Sequence, residues 1–439
     1  MAKKIADAHE SLAATSRRTL LKTSSAAALL LAARGLVPGG VHAQAAGPEV
    51  KGTRLDYIAL TDAAPLVIAK EKGLFAKHGL PDMDIAKQAS WGATRDNMAL
   101  GVKANGIDGG HILRPKTHLY TTGKVMQNGQ PLPMYTLLSL NEDCQAISVS
   151  NEFKDLDIGT DCSALREAFA KKKADGKDVK VAMTFPGGTH DLWIRYWLAA
   201  GGIDPDKDVQ TTTVPPPQMV ANMKVGTMDA FCVGEPWNEQ LVNQDIGFTA
   251  ATTGEIWFKH PEKILGMRAD WVDAHPRATR AILMAVMEAQ QWCDKAENKP
   301  EMAEIISRRQ WFNVPVPDII GRLKGDINYG RGRVEKNTKL GMKFWGDKGE
   351  VSYPWKSLDT WFIAENIRWG KFEPTIDIKS LVDRTNRSDL WLKAAKELGL
   401  AAMPSGNSRG IETFFDGKTF DPADPKAYLK SLSIKRAQV

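Results

Sequence analysis

The sequence predicts an α/β protein of two lobes, each a β-sheet wrapped by helices, with a cleft between them. Three observations carry that prediction. Short apolar strand-like runs alternate with helix-like runs, and the alternation comes in two separate series, one before residue 145 and one after it. A strand at Ala146-Ile-Ser-Val-Ser150 leaves the first series and Ile264-Leu-Gly-Met267 returns to it, so the chain crosses between the halves twice. At 439 residues and 43% hydrophobic content, both halves can bury cores. The expected division is residues 44–145 with 264–439 as one lobe and 146–263 as the other, and parallel βα sheets gather ligands at the carboxyl ends of their strands.

The N-terminus comes first in order. Ser16-Arg-Arg-Thr-Leu-Leu-Lys22 sets paired arginines before the apolar run Ala26-Ala-Ala-Leu-Leu-Leu-Ala-Ala33, and Val41-His42-Ala43 supplies small residues for cleavage. Residues 1–43 therefore resemble a twin-arginine export signal, with cleavage expected after Ala43 and a periplasmic destination. The apolar run is shorter than the roughly 20 residues a permanent span needs. No cysteine precedes Cys144, so no lipid anchor is expected.

In the first series, Leu55-Asp-Tyr-Ile-Ala-Leu60 reads as a strand and Ala64-Pro65 opens a helix running to Gly73, with proline in the favoured first turn. Met83-Asp-Ile85 is a short strand, Trp91 to Leu100 a helix, and the chain returns through Gly101–Gly110 toward His111-Ile-Leu113. The second series begins at Asp175 with the strand Val179-Lys-Val-Ala-Met183. Thr184-Phe-Pro-Gly-Gly-Thr-His190 follows, then a helix over Asp191–Ala200 with Thr189 as the expected N-cap and Gly201-Gly202 as the stop. A strand breaking at Pro-Gly-Gly into a helix aims unpaired backbone N–H groups at one point, and His190 adds a side-chain donor. This is an anion cradle. Val209–Val214, the turn Pro215-Pro-Pro217, a helix over Gln218–Val225 and the strand Thr227–Val233 complete the series.

From Asp270 the sequence turns helical, with apolar residues at helical spacing through Arg277–Trp292 and methionines that read as core. The tract Phe344–Phe372, with Trp345, Tyr353-Pro-Trp355, Trp361 and Trp369, reads as packing across the first lobe rather than as a surface for a membrane partner. The four cysteines, Cys144, Cys162, Cys232 and Cys293, show no metal or redox spacing, and sequence cannot pair them.

Charge and motifs exclude other classes. The formal charge is +6, and removing residues 1–43 takes away six basic and two acidic residues, leaving +2. No Lys/Arg run exceeds Lys171-Lys-Lys173, so no nucleic-acid footprint is present. A secreted enzyme acting on a small anion is the competing class, using Cys144 or Cys232 with His190. No nucleophile elbow, phosphate loop, zinc motif or paired cysteine set supports it, and no catalytic residue, cofactor or metal is expected.

The succession Leu60-Thr-Asp-Ala-Ala-Pro-Leu66, Ala69-Lys-Glu-Lys-Gly-Leu-Phe-Ala-Lys-His-Gly79, Ser90-Trp-Gly92, Gln145-Ala-Ile-Ser-Val149, Phe185-Pro-Gly-Gly-Thr-His190, Val214-Pro-Pro-Pro-Gln-Met219 and Val233-Gly-Glu-Pro-Trp-Asn238 resembles the nitrate- and bicarbonate-binding proteins of ABC transporters. The resemblance covers the whole chain after the signal. It implies a type II periplasmic-binding-protein-like fold, a monomer that closes on a small anion in the interlobe cleft and delivers it to a membrane permease. It also implies the ligand set: the family's tryptophan, glutamine, histidine, glycine and basic residue match Trp91, Gln145, His190, Gly234 and Lys263. Thr61, Asp62, Pro65, Thr189, Gln218, Glu235 and Trp237 are secondary candidates that line the cleft or hold the others in place.

The chemistry agrees with the resemblance. Nitrate has one negative charge, three planar acceptor oxygens and no proton to donate, so its pocket should consist of donors. Lys263 favours nitrate over bicarbonate: in the bicarbonate-binding relatives the position is acidic and goes with a calcium ion. Bicarbonate also brings an O–H that a pocket of donors leaves unpaired, at about 1–3 kcal/mol. Nitrite is expected to bind as well. Taken singly, each residue has a plainer reading: Trp91 as a core anchor, Gln145 as a loop tie, His190 as a structural histidine, Lys263 with Glu262 as a weak surface pair.

Overall fold

Two five-stranded sheets with the same connectivity organise the protein, and the chain passes from one to the other twice. The computed structural model describes residues 47–438, so the export signal expected over 1–43 lies outside the described residues. Sheet one has the order β2-β1-β3-β10-β4, from strands β1 (Arg54–Tyr57), β2 (Asp84–Lys87), β3 (Gly109–Leu113), β4 (Met134–Ser139) and β10 (Lys263–Arg268). Sheet two has the order β7-β6-β8-β5-β9, from β5 (Gln145–Ser150), β6 (Lys180–Met183), β7 (Gln210–Thr213), β8 (Ala230–Gly234) and β9 (Gly247–Thr252). The two-lobed α/β architecture follows.

The sheets are mixed, which corrects the expectation of parallel ones. β1, β2 and β3 run parallel, as do β6, β7 and β8, but β10 runs antiparallel to β3 and β4, and β5 antiparallel to β8 and β9. The reason is the double crossing. β5 and β10 enter from the other lobe rather than through a βα crossover, so they come in at the carboxyl ends of the parallel strands and run back. Their registers fix the consequence: Lys263, first in β10, pairs with Leu113, last in β3, and Gln145, first in β5, pairs with Gly234, last in β8. Both residues thus stand at the carboxyl ends of parallel strands, where α/β sheets place ligands.

Local sequence explains the helices that border this region. Helix α1 (Ala64–Glu71) has Pro65 in its first turn, and α2 (Trp91–Leu100) starts where Ser90 Oγ accepts from Ala93 N–H at 3.1 Å. The segment after β3 forms α3 (Lys116–Thr121). Helix α4 (Thr189–Ala200) is capped by Gly188, and Thr189 is its first residue, not its cap; no side-chain oxygen caps this end. The stop is as expected, with Gly202 at φ +77°.

Helix α5 (Pro276–Asp294) lies against α1, burying Ala278, Ile282, Val286, Met287 and Ala289. The tryptophan tract packs, and on both lobes. In α6 (Lys356–Arg368), Asp359 accepts from Arg114 Nε at 2.6 Å in the first lobe, while Trp361 stacks on Trp193 of α4 with centroids 5.0 Å apart. The four cysteines are buried and free.

Candidate functional site

The ends of β1, β3 and β6 and the starts of β5 and β10 bring together a cluster of fully buried polar side chains: Asp62, His111, Gln145, His190, Glu262 and Lys263. Lys263 is its centre. Its ammonium donates to Asp62 Oδ2 at 2.9 Å and to Glu262 Oε1 at 2.7 Å, and lies 3.4 Å from His190 Nε2. Gln145 Nε2 donates to the same Asp62 oxygen at 2.9 Å, and His111 Nε2 lies 2.6 Å from the other. Gln145 Oε1 stands 3.0 Å from His190 Nε2, and His190 Nδ1 stands 2.6 Å from Thr184 Oγ1. These partners assign a neutral imidazole that donates from Nε2 and accepts the Thr184 hydroxyl at Nδ1.

Burial sets the protonation states. His190 is pushed well below the usual histidine range by burial and then by the Lys263 charge. Burial raises Glu262, more than Lys263, Thr189 and Trp193 lower it. For Asp62 burial also raises, but Lys263 and His111 outweigh it and hold the carboxyl below its ordinary range. Lys263 itself stays charged: burial alone would lower it, and Asp62 and Glu262 more than offset that.

Each expected site residue has a definite place. Trp91 is fully buried at the start of α2, its ring 5.4 Å from that of His111 and 6.0 Å from the Lys263 ammonium. Its indole N–H has no hydrogen-bond partner. At Gly234 a Cβ would lie 2.5 Å from Gln145 Oε1, so any side chain there would displace the Gln145 amide from its place in the cluster. The segments around it join the lobes: Thr61 N–H donates to Glu235 O at 2.7 Å, and Trp237 Nε1 to Ala59 O at 3.0 Å. Thr61 Oγ1 is buried without a partner.

Other secondary candidates do different work. Pro65 is buried in the first turn of α1, and Glu235 is paired with Arg322 at 2.8 Å. Gln218 is exposed at the end of a short 3-10 turn, its carbonyl accepting from Asn222, and the structure does not bring it to the cluster.

Two sequence-based expectations need correction. Two of the cradle's amides are spent within the loop, Gly187 N–H donating to Asp191 Oδ2 at 2.7 Å and Gly188 N–H to Phe185 O at 3.0 Å, while no side chain caps the helix turn that follows. The loop also delivers side chains, held close because a Cβ on Gly188 would meet Leu113 Cδ1 at 2.6 Å. The pocket is also not built of donors alone. Glu262, read as half of a surface pair, is fully buried and accepts from Lys263, from the Thr189 hydroxyl and, at 2.9 Å, from Trp193 Nε1. The acceptors Asp62 and Glu262 remove the argument that a bicarbonate O–H finds no partner.

Sequence reasoning also missed Lys116. It is fully buried, donates to Trp91 O at 2.8 Å and sits 4.0 Å over Phe185, a residue of the other lobe. Its position after Pro115 gave no periodic signal. Among the described residues, no group of three or more His, Cys, Asp or Glu side chains could hold a metal ion.

Counting hydrogens shows what the cluster can still do. With His190 neutral, Lys263 has spent two of its three N–H donors and Gln145 one of its two, and Trp91 has spent none. Three donors, one of them charged, remain in a buried site.

Comparison with known proteins bears on the same residues' context. Residues 46–307 match the model of the NMT1-like family. The nitrate/nitrite binding protein NrtA of Synechocystis sp. is 59% identical over 391 residues, covering 88% of this chain and 86% of that protein. The crystal structure of periplasmic nitrate-binding NrtA from Synechocystis superposes with a TM-score of 0.86 at 58% identity, over 89% of this chain and 100% of that one. The bicarbonate-binding protein CmpA of Synechococcus elongatus is 48% identical over 398 residues, covering 89% of this chain and 88% of that protein. The nitrate import ATP-binding protein NrtC of Synechocystis is 34% identical over 392 residues, 89% of this chain but 56% of that protein. The chain therefore belongs to the NMT1-like family and, within it, to the family of nitrate- and bicarbonate-binding proteins.

Proposed function

We propose that the protein is a solute-binding protein that captures nitrate, and nitrite as well, between its lobes and delivers it to the membrane permease of an ABC transporter. It performs no chemistry on the anion. One observation carries the reading: three unspent N–H donors, on Lys263, Gln145 and Trp91, remain in a buried cluster, and nitrate offers three acceptor oxygens and nothing to donate. Gly234 and His190 complete the first contacts, with Thr61, Asp62 and Thr189 supporting them. The similarity to a nitrate/nitrite binding protein and to a nitrate import ATP-binding protein supports ligand and partner alike.

In this reading residues 1–43 direct twin-arginine export and are cleaved after Ala43, leaving an unlipidated periplasmic monomer. The lobes are 44–145 with 264–439, and 146–263; the crossing strands β5 and β10 support that division.

Bicarbonate is the second reading, favoured by the acceptors on Asp62 and Glu262 and by the similarity to a bicarbonate-binding protein. Lys263 favours nitrate, because the resemblance implies an acidic residue and a calcium ion at this position in bicarbonate-binding relatives. Titration with nitrate, nitrite and bicarbonate, with and without calcium, followed by tryptophan fluorescence, separates the two. Nitrate and nitrite are expected to bind without calcium; tight calcium-dependent bicarbonate binding with no nitrate response overturns the assignment.

A further inference from the structure

We propose that the cleft takes up one proton with each anion it binds, held by the His190–Glu262 pair. The inference rests on the anion-binding reading above and concerns the same site.

A charge count motivates it. With both carboxylates ionised and both histidines neutral, Asp62 and Glu262 outnumber the Lys263 ammonium, so the cluster carries one net negative charge before any anion arrives. All of these side chains are fully buried, so bulk solvent screens them little. The surroundings add little surplus positive charge: Arg114 is matched by Asp359 at 2.6 Å, and burial pushes Lys116 well below the usual lysine range, only partly offset by Asp56. His260 faces the far oxygen of Glu262 at 3.8 Å, and burial keeps it neutral, pressing it down to about 3. A bound anion brings a second uncompensated negative charge into this buried space. The cluster has to gain a positive one.

The geometry provides the place. His190 Nε2 lies 3.3 Å from Glu262 Oε1 and 3.0 Å from Gln145 Oε1, both acceptors. His190 Nδ1 lies 2.6 Å from the Thr184 hydroxyl, which accepts as readily as it donates. The ring can therefore carry a second N–H, at Nδ1 toward the Thr184 hydroxyl, while its Nε2–H keeps Glu262 Oε1 and Gln145 Oε1 as acceptors, and the imidazolium charge then lies beside a carboxylate. Because the two groups touch, the proton belongs to the pair and not to either residue.

The directions of titration agree. Burial already raises Glu262 and lowers His190, and an added negative charge in the cleft raises both. Proton uptake on binding means that affinity weakens as pH rises, by up to about tenfold per pH unit over the linked range.

The test is calorimetry of nitrate binding to the mature protein in Tris and in PIPES, two buffers of different ionisation heat, at several values between about pH 6 and 9. The slope of observed heat against buffer ionisation heat counts protons. An uptake reaching about half a proton or more somewhere in that window supports the proposal, and a smaller uptake throughout, with nitrate still bound, overturns it. No nitrate binding in either buffer overturns the anion reading and this inference with it. Glu262→Gln locates the proton: uptake and pH dependence should both shrink, and full uptake in Glu262→Gln and in His190→Gln overturns the assignment to the pair.

Discussion

The Lys263 ammonium lies 2.9 Å from Asp62 Oδ2, although the two residues are 201 positions apart in the chain. Asp62 follows β1 in the first sheet's parallel set, and Lys263 opens the strand by which the chain returns from the second lobe. Their contact pins the returning strand to the βα turn where the site lies. It also makes Lys263 a shared resource, balancing two carboxylates before it meets any ligand.

Lys263→Glu should abolish nitrate binding, because it would bury a third carboxylate beside Asp62 and Glu262. Removing the cation from two buried carboxylates costs on the order of 3–5 kcal/mol. Nitrate titration should show affinity weaker by at least about 100-fold, and chemical denaturation should show the stability loss; full affinity would remove Lys263 from the site.

Trp91→Phe separates packing from donation. The indole N–H has no partner within the protein, so its loss should leave thermal stability nearly unchanged while phenylalanine keeps the ring buried beside His111. Nitrate affinity should fall by about tenfold, the worth of one hydrogen bond of about 1.4 kcal/mol. Unchanged affinity would show that Trp91 is a core residue and no more.

Asp56 gives the stability a pH dependence of defined sign. Burial raises its carboxyl to about 7, partly offset by Thr94 and Lys116, and one of its oxygens has no partner. A folded value above the unfolded one means stability that is full below the unfolded value of about 4 and lost as pH rises through 7. The melting temperature should therefore fall over that window, and Asp56→Asn, whose amide cannot ionise, should flatten the fall. An identical pH profile in the variant would show that Asp56 does not titrate there.

Much of the fold was legible because local signals coincide with element ends. Ser90 and Gly101 bracket α2 as a cap and a stop, and the sequence reading of Trp91 to Leu100 matches the helix. Strand direction was not legible. Nothing in Ile264-Leu-Gly-Met267 says that β10 runs against β3, since direction depends on where the chain re-enters the lobe. Glu262 was misread for a related reason: a charge beside an opposite charge looks like a solvated pair, and only tertiary burial by Trp193 and Thr189 makes it a site residue. Lys116 and His111 carried no motif of their own.

The sequence by itself determined the two-lobed α/β alternation, because periodicity, caps and turn residues act within a few positions of chain, and its resemblance to a family implied Trp91, Gln145, His190, Gly234 and Lys263 as the ligand set. Tertiary structure decided the charge of the site. Asp62, Glu262 and Lys263 come together only when two sheets exchange strands, and burial then turns an ordinary lysine into a cation shared between two carboxylates. Electrostatics in a dry cleft depends on every charge within a few ångströms, and the chain order does not record that distance.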